Sequence, residues 1–228
     1  MTRIRNADKQ KAMPRILSGN GSLFDQFINE IRNVEVQNDR MRFRRNLERI
    51  GELMAYEISK EMDWHEDTIT TPLGVAKLPV MESQPVLATI LRAGLGLHNG
   101  LLSYFDKGDN AFISAYRMPH REDGSFDIKI EYMSSPSVEG RTVILSDPML
   151  ATGGSMVLAY RALLRRGNPK HTHIAVAIAS RQGLEYCRQH LPDNCTIWIG
   201  ALDEELTARA YIVPGLGDAG DLAFGTKE

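Results

Sequence analysis

The chain has 228 residues and a mass of 25.5 kDa, enough for one large domain or two small ones. Apolar residues make up 43% and charged residues 25%, which excludes a wholly disordered chain and a fibrous repeat. The net charge of -2 argues against a nucleic-acid-binding protein, although residues 1–49 hold 11 Lys and Arg against 6 Asp and Glu.

The sequence predicts neither a membrane span nor a secretory signal. No apolar stretch approaches the roughly 18 residues that cross a bilayer. Residues 1–11 are polar and basic, with no apolar region behind them. We therefore expect a cytoplasmic protein without a membrane partner. The two cysteines, Cys187 and Cys195, are too few for a disulfide framework and lack metal-ligand spacing, so we expect buried, inert thiols.

Two helices are predicted before residue 63. Residues 22–33 favour a short helix, and Asp39 is a suitable N-cap for a longer one that runs to about Met62. The longer helix has an apolar stripe at helical spacing, formed by Phe43, Leu47, Ile50, Met54 and Ile58.

A row of arginines, Arg42, Arg45 and Arg49, lies on another face of the longer helix. We interpret this row as a solvated or subunit-contacting face that Glu48 and Glu52 balance, in preference to a phosphate or RNA site.

After a turn at residues 71–74, short apolar runs alternate with helical stretches. The predicted strands are residues 85–91, 111–117, 142–145, 173–179 and 196–199, and the predicted helices are residues 95–104, 155–165 and 182–190. This alternation predicts an α/β fold in which helices cover both faces of a mostly parallel sheet. Ligands of such folds bind at the carboxyl ends of the strands.

Three segments interrupt this alternation. The polar residues 118–125 predict a hairpin or a mobile loop. We interpret Asp203, Glu204 and Glu205, which follow the last predicted strand, as an exposed helix N-terminus. The glycine-rich residues 211–221 are not expected to form an ordinary helix.

The most informative stretch is residues 142–155, where a strand ends at an acidic residue, Asp147, and a turn of small residues opens a helix. Glycines let the backbone approach a ligand, the hydroxyls of Thr152 and Ser155 add donors, and a helix N-terminus favours anions. The stretch therefore predicts a phosphate-monoester site. It lacks the motifs of nucleoside-triphosphate and dinucleotide loops. A purely structural glycine-rich turn is the alternative.

Three blocks of the sequence resemble uracil phosphoribosyltransferases. Residues 147–155, Asp-Pro-Met-Leu-Ala-Thr-Gly-Gly-Ser, are similar to that family's phosphoribosyl-diphosphate motif. Residues 90–96, Ile-Leu-Arg-Ala-Gly-Leu-Gly, resemble its diphosphate loop, and residues 211–221 with 224–226 resemble its uracil-binding tail. The resemblance covers roughly residues 40–228, so that the first forty residues lie outside it.

The resemblance implies a pyrimidine salvage enzyme that transfers the 5-phosphoribosyl group of phosphoribosyl diphosphate (PRPP) to N1 of uracil, giving UMP and diphosphate. It implies a single domain with the type I phosphoribosyltransferase fold, an N-terminal extension (residues 1–38) and a C-terminal hood (residues 205–228) over the base. Mg²⁺ is expected as cofactor, held mainly by the PRPP diphosphate, ribose hydroxyls and water, without a metal site on the protein.

The resemblance also implies roles for individual residues. Arg92 and Arg117 would contact the diphosphate, Asp147 would accept hydrogen bonds from the ribose hydroxyls, and these three are the implied catalytic residues. The implied PRPP-binding residues are Arg92, Arg117, Asp147, Pro148, Met149, Leu150, Ala151, Thr152, Gly153, Gly154, Ser155 and Asp218. The implied uracil-binding residues are Ile212, Gly217, Asp218 and Ala219.

Two alternatives remain open, a phosphoribosyltransferase for another small base and a weakly active regulator that binds RNA through residues 40–49. The sequence departs from the family pattern at residues 118–125 and at Leu222, where many relatives have a basic residue. The family implies a homodimer or a higher homo-oligomer, and because some relatives respond to GTP, a GTP effector is left open. Nucleic acid is not an expected partner.

Overall fold

The architecture of the chain is seen in a computed structural model that describes residues 13–117 and 128–226. In chain order the strands are β1 (Arg15–Ile16), β2 (Trp64–Thr71), β3 (Gly74–Met81), β4 (Val86–Leu91), β5 (Asp109–Arg117), β6 (Ile128–Ser134), β7 (Thr142–Ser146), β8 (Met149–Leu150), β9 (His171–Ser180), β10 (Cys195–Asp203), β11 (Glu205–Leu206) and β12 (Ile212–Val213). The helices are α1 (Leu23–Arg32), α2 (Arg40–Ser59), α3 (Leu95–Tyr104), α4 (Gly154–Leu163), α5 (Arg181–His190) and α6 (Ala219–Phe224).

An eight-stranded sheet forms the centre of the fold. Its strands lie in the order β1-β10-β9-β7-β4-β5-β6, and β8 extends the sheet by pairing with β9. All of these pairs are parallel except β5 with β6. The prediction of a mostly parallel sheet is therefore confirmed, and the carboxyl ends of β4, β5, β7 and β9 lie along the same edge.

Helices cover both faces of the sheet, as the sequence predicted. Successive residues of a strand point to opposite faces, so β4, which is buried except for the partly exposed Leu91, contributes to two cores. Val86, Ala88 and Ile90 pack in the core beneath α4 and α5. Leu87 packs in the core formed with α1, α2 and α3. None of the helices in the described parts of the chain is long and apolar enough to cross a membrane.

Helix α2 begins where the sequence predicted it. The carboxylate of Asp39 accepts hydrogen bonds from the backbone N–H groups of Met41 and Arg42, at 3.0 and 3.1 Å. This N-cap satisfies two of the donors that a helix N-terminus leaves free. The helix ends at Ser59, a few residues before the predicted end at Met62.

The predicted N-terminal extension contributes two elements to the fold. Strand β1 pairs with β10, where Arg15 lies opposite Trp198 and Ile16 opposite Ile199. The expected helix at residues 22–33 is present as α1, and its Phe24, Ile28 and Ile31 are buried in the core.

Two interpretations of irregular segments need correction. The acidic residues 203–205 do not start a helix. Asp203 is the buried last residue of β10, and residues 205–206 form the short strand β11. Residues 211–218 are irregular apart from β12, as expected, but the helix α6 begins at Ala219, inside the predicted non-helical segment. The predicted loop at residues 118–125 lies outside the described residues.

Strands β2 and β3 form an antiparallel hairpin around the expected turn at residues 71–74. Both strands were missed because β2 has three consecutive polar residues, His65, Glu66 and Asp67, and Pro79 interrupts the apolar residues at the end of β3. Nearly all of their side chains are exposed.

Candidate active site

A cavity of about 510 Å³ opens at the carboxyl edge of the sheet. Four segments that are distant in sequence line it, namely residues 90–93, residues 147–156 without 148 and 154, residues 210–212 and residues 217–220. Ala115 of β5 completes the lining. The cavity thus lies where the parallel α/β architecture is expected to bind a ligand.

The turn after β7 is fixed to the neighbouring strand β9. The N–H of Asp147 donates to the carbonyl of Ala175 at 3.1 Å, and the carbonyl of Pro148 accepts from the N–H of Ile178 at 2.9 Å. The half-buried carboxylate of Asp147 accepts from the N–H of Met149 at 3.3 Å. These bonds hold an acidic side chain at the edge of the cavity.

The N-terminus of α4 borders the cavity without a side-chain cap. Gly153 precedes the helix with a φ of +83°, a left-handed conformation that glycine adopts at little cost. The Sγ atom of Cys187 lies 3.9 Å from the carbonyl oxygen of Gly153, on the core side of the turn. Because the first N–H groups of a helix have no intrahelical acceptor, this end can bind an anion.

The same turn rests on the start of α5. The hydroxyl of Ser180 donates to the carbonyl of Ala151 at 2.5 Å and accepts from the N–H of Gly183 at 2.9 Å. A Cβ at Gly183 would lie 2.3 Å from the carbonyl oxygen of Ala151, so only glycine fits there. The start of helix α5 therefore packs against the turn and supports it. The sequence motifs did not indicate this contact.

The segment after β4 brings an arginine to the opposite side of the cavity. The exposed Arg92 donates from Nη2 to the carbonyl of Gly225 at 3.2 Å and lies 3.5 Å from Oδ1 of Asp221. A Cβ at Gly94 would lie 2.1 Å from Oγ1 of Thr89, which explains the glycine after Arg92 in this tight turn. The peptide bond between Leu91 and Arg92 is cis.

The C-terminal hood supplies the third side of the cavity. Ile212 and Ala219 are buried, and Gly217 has a φ of +94°. The carboxylate of Asp218 caps α6 by accepting from the N–H of Asp221 at 3.0 Å. The four residues expected to contact a base therefore line one wall.

The structure brings most of the predicted site residues together. Those that line the cavity are Arg92, Asp147, Met149, Leu150, Ala151, Thr152, Gly153, Ser155, Ile212, Gly217, Asp218 and Ala219. Pro148 and Gly154 are not part of the lining. Arg117 ends β5, two residues after Ala115, and its side chain lies outside the described part of the structure.

Several lining residues were not predicted. They are Ile90, Leu91, Ala93, Ala115, Met156, Ala210, Tyr211 and Gly220. Five of them lie inside the sequence blocks at residues 90–96 and 211–221 but were given no role there, and Met156 and Ala210 directly adjoin a block. Ala115 could be inferred only from the position of β5 beside β4 in the sheet.

The two thiols are buried, as predicted. Burial raises the pKa of Cys187 to about 12, and burial also raises the pKa of Cys195 to about 12. Both are therefore protonated at neutral pH and unsuited to nucleophilic chemistry.

Comparison with known proteins identifies the family. A family model described as uracil phosphoribosyltransferase matches residues 21–226. The chain belongs to the uracil phosphoribosyltransferase family. It is also 58% identical over 211 residues to the uracil phosphoribosyltransferase of Porphyromonas gingivalis, across 92% of this chain and 97% of that relative.

Solved structures agree with this assignment. A protein from Aquifex aeolicus matches with a TM-score of 0.82 and 29% identity, covering 93% of this chain and 98% of that one. An adenine phosphoribosyltransferase from Trypanosoma brucei matches with a TM-score of 0.51 and 12% identity, covering 82% of each chain, and shows the shared fold.

Membership of the uracil phosphoribosyltransferase family confirms the predictions of family, fold and enzyme class. The type I phosphoribosyltransferase fold and the transfer of a phosphoribosyl group from PRPP to uracil, giving UMP, follow from it. One boundary was wrong, because the family match begins at residue 21 and so includes α1, which the sequence blocks had left outside the resemblance.

Proposed function

We propose that the cavity at the carboxyl edge of the sheet is the site where this chain transfers the 5-phosphoribosyl group of PRPP to N1 of uracil. One observation carries the proposal: the three sequence blocks, separated by dozens of residues, line one cavity of about 510 Å³. Its volume lies in the range typical of small-molecule sites, roughly 300–1,000 Å³.

The 5′-phosphate of PRPP fits the N-terminus of α4. The uncapped N–H groups after Gly153 and the hydroxyls of Thr152 and Ser155 are donors, and the helix dipole favours a dianion at this end. The bonds from Ser180 and β9 keep the turn in place before the ligand arrives. A preorganised site of this kind loses less entropy on binding.

The diphosphate would lie beside Arg92. This side chain is exposed and contacts only a carbonyl and a distant carboxylate oxygen among the described residues, so a diphosphate oxygen can replace those contacts. Negative charge grows on the diphosphate as its bond to C1 breaks, and a guanidinium stabilises that charge. We assign the same task to Arg117 and place the ribose hydroxyls against Asp147.

Mg²⁺ suits this arrangement as a partner of the substrate. The described residues contain no cluster of three or more His, Cys, Asp or Glu side chains that could hold a metal alone. Asp147 and Asp218 line the cavity, and Mg²⁺ in proteins is commonly held by one or two carboxylates together with substrate phosphates and water. When bound, the ion would neutralise part of the diphosphate charge.

Uracil would lie against the hood. Its edge presents one N3–H donor between two carbonyl acceptors, and backbone groups of residues 217–219 can match that pattern without a charged side chain. Cytosine presents a different pattern and would leave buried groups unpaired, so we expect strong discrimination against it.

A steady-state assay with PRPP, Mg²⁺ and one base at a time tests the proposal. We expect UMP and diphosphate from uracil, and no nucleotide from cytosine or hypoxanthine. Turnover of another small base instead of uracil would favour the first alternative. Ligand binding without turnover, together with salt-dependent RNA binding, would favour the regulator. The GTP effector and the cytoplasmic location stay predictions, and adding GTP to the assay tests the first.

Replacing Arg92 with alanine tests the placement of the diphosphate. A charge-assisted hydrogen bond contributes about 1.5–3 kcal/mol, so we expect kcat/KM to fall by about one to two orders of magnitude. Arg141 is a suitable control, because it pairs with Asp109 at the opposite edge of the sheet, and Arg141→Ala should keep the rate. Full activity in Arg92→Ala would contradict the placement, and full activity in Asp147→Asn would contradict that of the ribose.

A further inference from the structure

The short turn at residues 214–216 joins the two halves of the hood wall. Ile212 precedes this turn and Gly217, Asp218 and Ala219 follow it, so its position sets the distance between the two groups. Gly215 has a φ of +56°, and a Cβ there would lie 2.2 Å from the carbonyl oxygen of Ile212. The turn is therefore tight, so a displacement of Gly215 also moves the residues on either side of it.

Two charged side chains from other parts of the chain bind both backbone groups of Gly215. The N–H of Gly215 donates to Oδ2 of Asp203 at 2.9 Å. The carbonyl of Gly215 accepts from Nη1 of Arg32 at 3.0 Å. Arg32 ends α1 and Asp203 ends β10, so the turn is fixed to a helix and to the central sheet at once.

Arg32 and Asp203 also bind each other in a bidentate pair. Nη1 lies 2.9 Å from Oδ2, and Nη2 lies 2.9 Å from Oδ1. The two side chains are only 19% and 7% exposed. Pairing of this kind fixes the angle between the two groups as well as their distance. The pair can therefore hold Gly215 in one position.

Gln37 adds a third support to the same turn. Its Nε2 donates to the carbonyl of Leu216 at 3.2 Å and to the carbonyl of Ile31, at the end of α1, at 2.9 Å. The side chain is buried. Two consecutive residues of the turn, Gly215 and Leu216, are thus bound to the region around the end of α1.

We propose that Arg32 and Asp203 are positioning residues for the base, which hold the turn so that the hood presents its backbone groups to uracil. This proposal rests on the proposed function of the cavity. Neither residue lines the cavity, so both act through Gly215. The proposal gives a role to α1, which the sequence blocks left without one.

Steady-state kinetics of Arg32→Gln and Asp203→Asn test the proposal. Each substitution removes a charge-assisted bond to the turn, and we expect KM for uracil to rise about tenfold or more while KM for PRPP stays within about twofold. Arg32→Lys keeps the charge but loses the bidentate geometry, and its KM for uracil should lie between those of wild type and Arg32→Gln.

Glu30→Gln is the matched control. Glu30 lies two residues before Arg32 on α1, its side chain is 13% exposed, and its carboxylate binds Arg42 in a bidentate pair at 2.9 Å. This pair joins α1 to α2 and does not touch the hood. Glu30→Gln should therefore disturb α1 without changing KM for uracil.

The outcomes separate the two proposals. Suppose that the wild type converts uracil. The positioning role is then overturned if the Arg32 and Asp203 variants raise KM for uracil and KM for PRPP equally, or if they raise neither value. A rise in KM for uracil in Glu30→Gln equal to that in Arg32→Gln overturns it as well. If the other variants do not fold, Arg32→Lys decides the question by the same two KM values. A wild type that does not convert uracil overturns the proposed function and this role with it.

Discussion

At the scale of single residues, the turn before α4 at residues 151–153 depends on close backbone packing. A Cβ at Gly153 would lie 2.9 Å from the carbonyl oxygen of Gly183 and 2.9 Å from Cδ1 of Tyr186. The residue is also in the left-handed region, where an L side chain is strained. The sequence motif indicated glycine for access of a ligand, whereas the structure adds a second reason, contact with α5.

We predict that Gly153→Ala lowers the free energy of unfolding by about 2–4 kcal/mol, since backbone strain and a steric clash act together. KM for PRPP should rise because the turn must shift. Urea denaturation and steady-state kinetics measure the two effects.

Gly140→Ala is the control for this prediction. Gly140 has a φ of +66°, and a Cβ added there would meet no atom within 4 Å beyond its chain neighbours, so the substitution brings the strain without the clash. It should cost about 1–2 kcal/mol and leave KM for PRPP unchanged. An equal loss of stability in both variants would show that contact with α5 is unimportant.

At the scale of secondary-structure elements, the arginine row of α2 has protein partners. Arg42 binds Glu30, and Arg45 binds Glu48 and Glu52. Arg49 donates to Asn46 at 3.0 Å and lies over the ring of Phe27. These contacts support the interpretation of the row as a balanced surface, and they weaken the case for an RNA site.

The hairpin β2–β3 is the element on which we expect a second copy of the chain to pack. Among the described residues it pairs with no other strand, and two-stranded hairpins are at most marginally stable alone in water. Ile69 and Leu78 lie on the same face and are exposed. This face supports the expectation of a homodimer, since its apolar side chains would be buried there.

We predict that the wild type is a dimer and that Ile69→Lys with Leu78→Lys shifts it toward the monomer, because buried lysines would be desolvated without partners. Light scattering coupled to gel filtration measures the mass. Thr68→Lys with Thr70→Lys places the same two charges on the opposite face and should leave the dimer intact. A monomeric wild type would contradict the prediction.

At the scale of the whole molecule, buried histidines make folding sensitive to acid. Burial lowers the pKa of His173 from 6.5 to about 3, with a smaller contribution from the neighbouring His171. Its Nδ1 accepts a hydrogen bond from Nε1 of Trp198 at 3.0 Å, which requires an unprotonated nitrogen. Burial lowers the pKa of His98 and of His171 as well.

We predict that the protein loses stability as the pH falls below about 6.5. Above that pH, His173 is neutral in the folded and the unfolded state and has no effect. Below it, the unfolded state binds a proton that the folded state does not, down to the folded pKa of about 3. His173 alone then lowers the free energy of unfolding by about 2 kcal/mol at pH 5.

Urea denaturation at pH 7 and pH 5 checks this effect. His173→Gln keeps an acceptor for Trp198 but cannot bind the proton, so its stability should fall less between the two pH values than that of the wild type. Glu30 does not contribute between pH 7 and pH 5, because its pKa is lowered from 4.5 to about 2 and its effect begins below pH 4.5. Equal losses in wild type and His173→Gln would contradict the assignment.

Local chemistry is the part of this protein that the sequence determined by itself. Asp39 caps α2 through the residues that follow it, the apolar run of residues 86–91 forms the strand β4, and residues 147–155 hold the glycines and hydroxyls of the proposed phosphate site within nine positions. Such features depend on neighbours in the chain, so they can be recognised without the fold.

Tertiary structure decided which distant residues meet. Arg32 and Asp203 are 171 residues apart, and nothing near either one in the sequence indicates that they bind each other and Gly215. Likewise, Ser180 supports a turn 29 residues before it, and the mostly polar β2 pairs with β3 along its whole length. These contacts arise because the sheet order and the packing of helices on it set distances that local spacing does not contain.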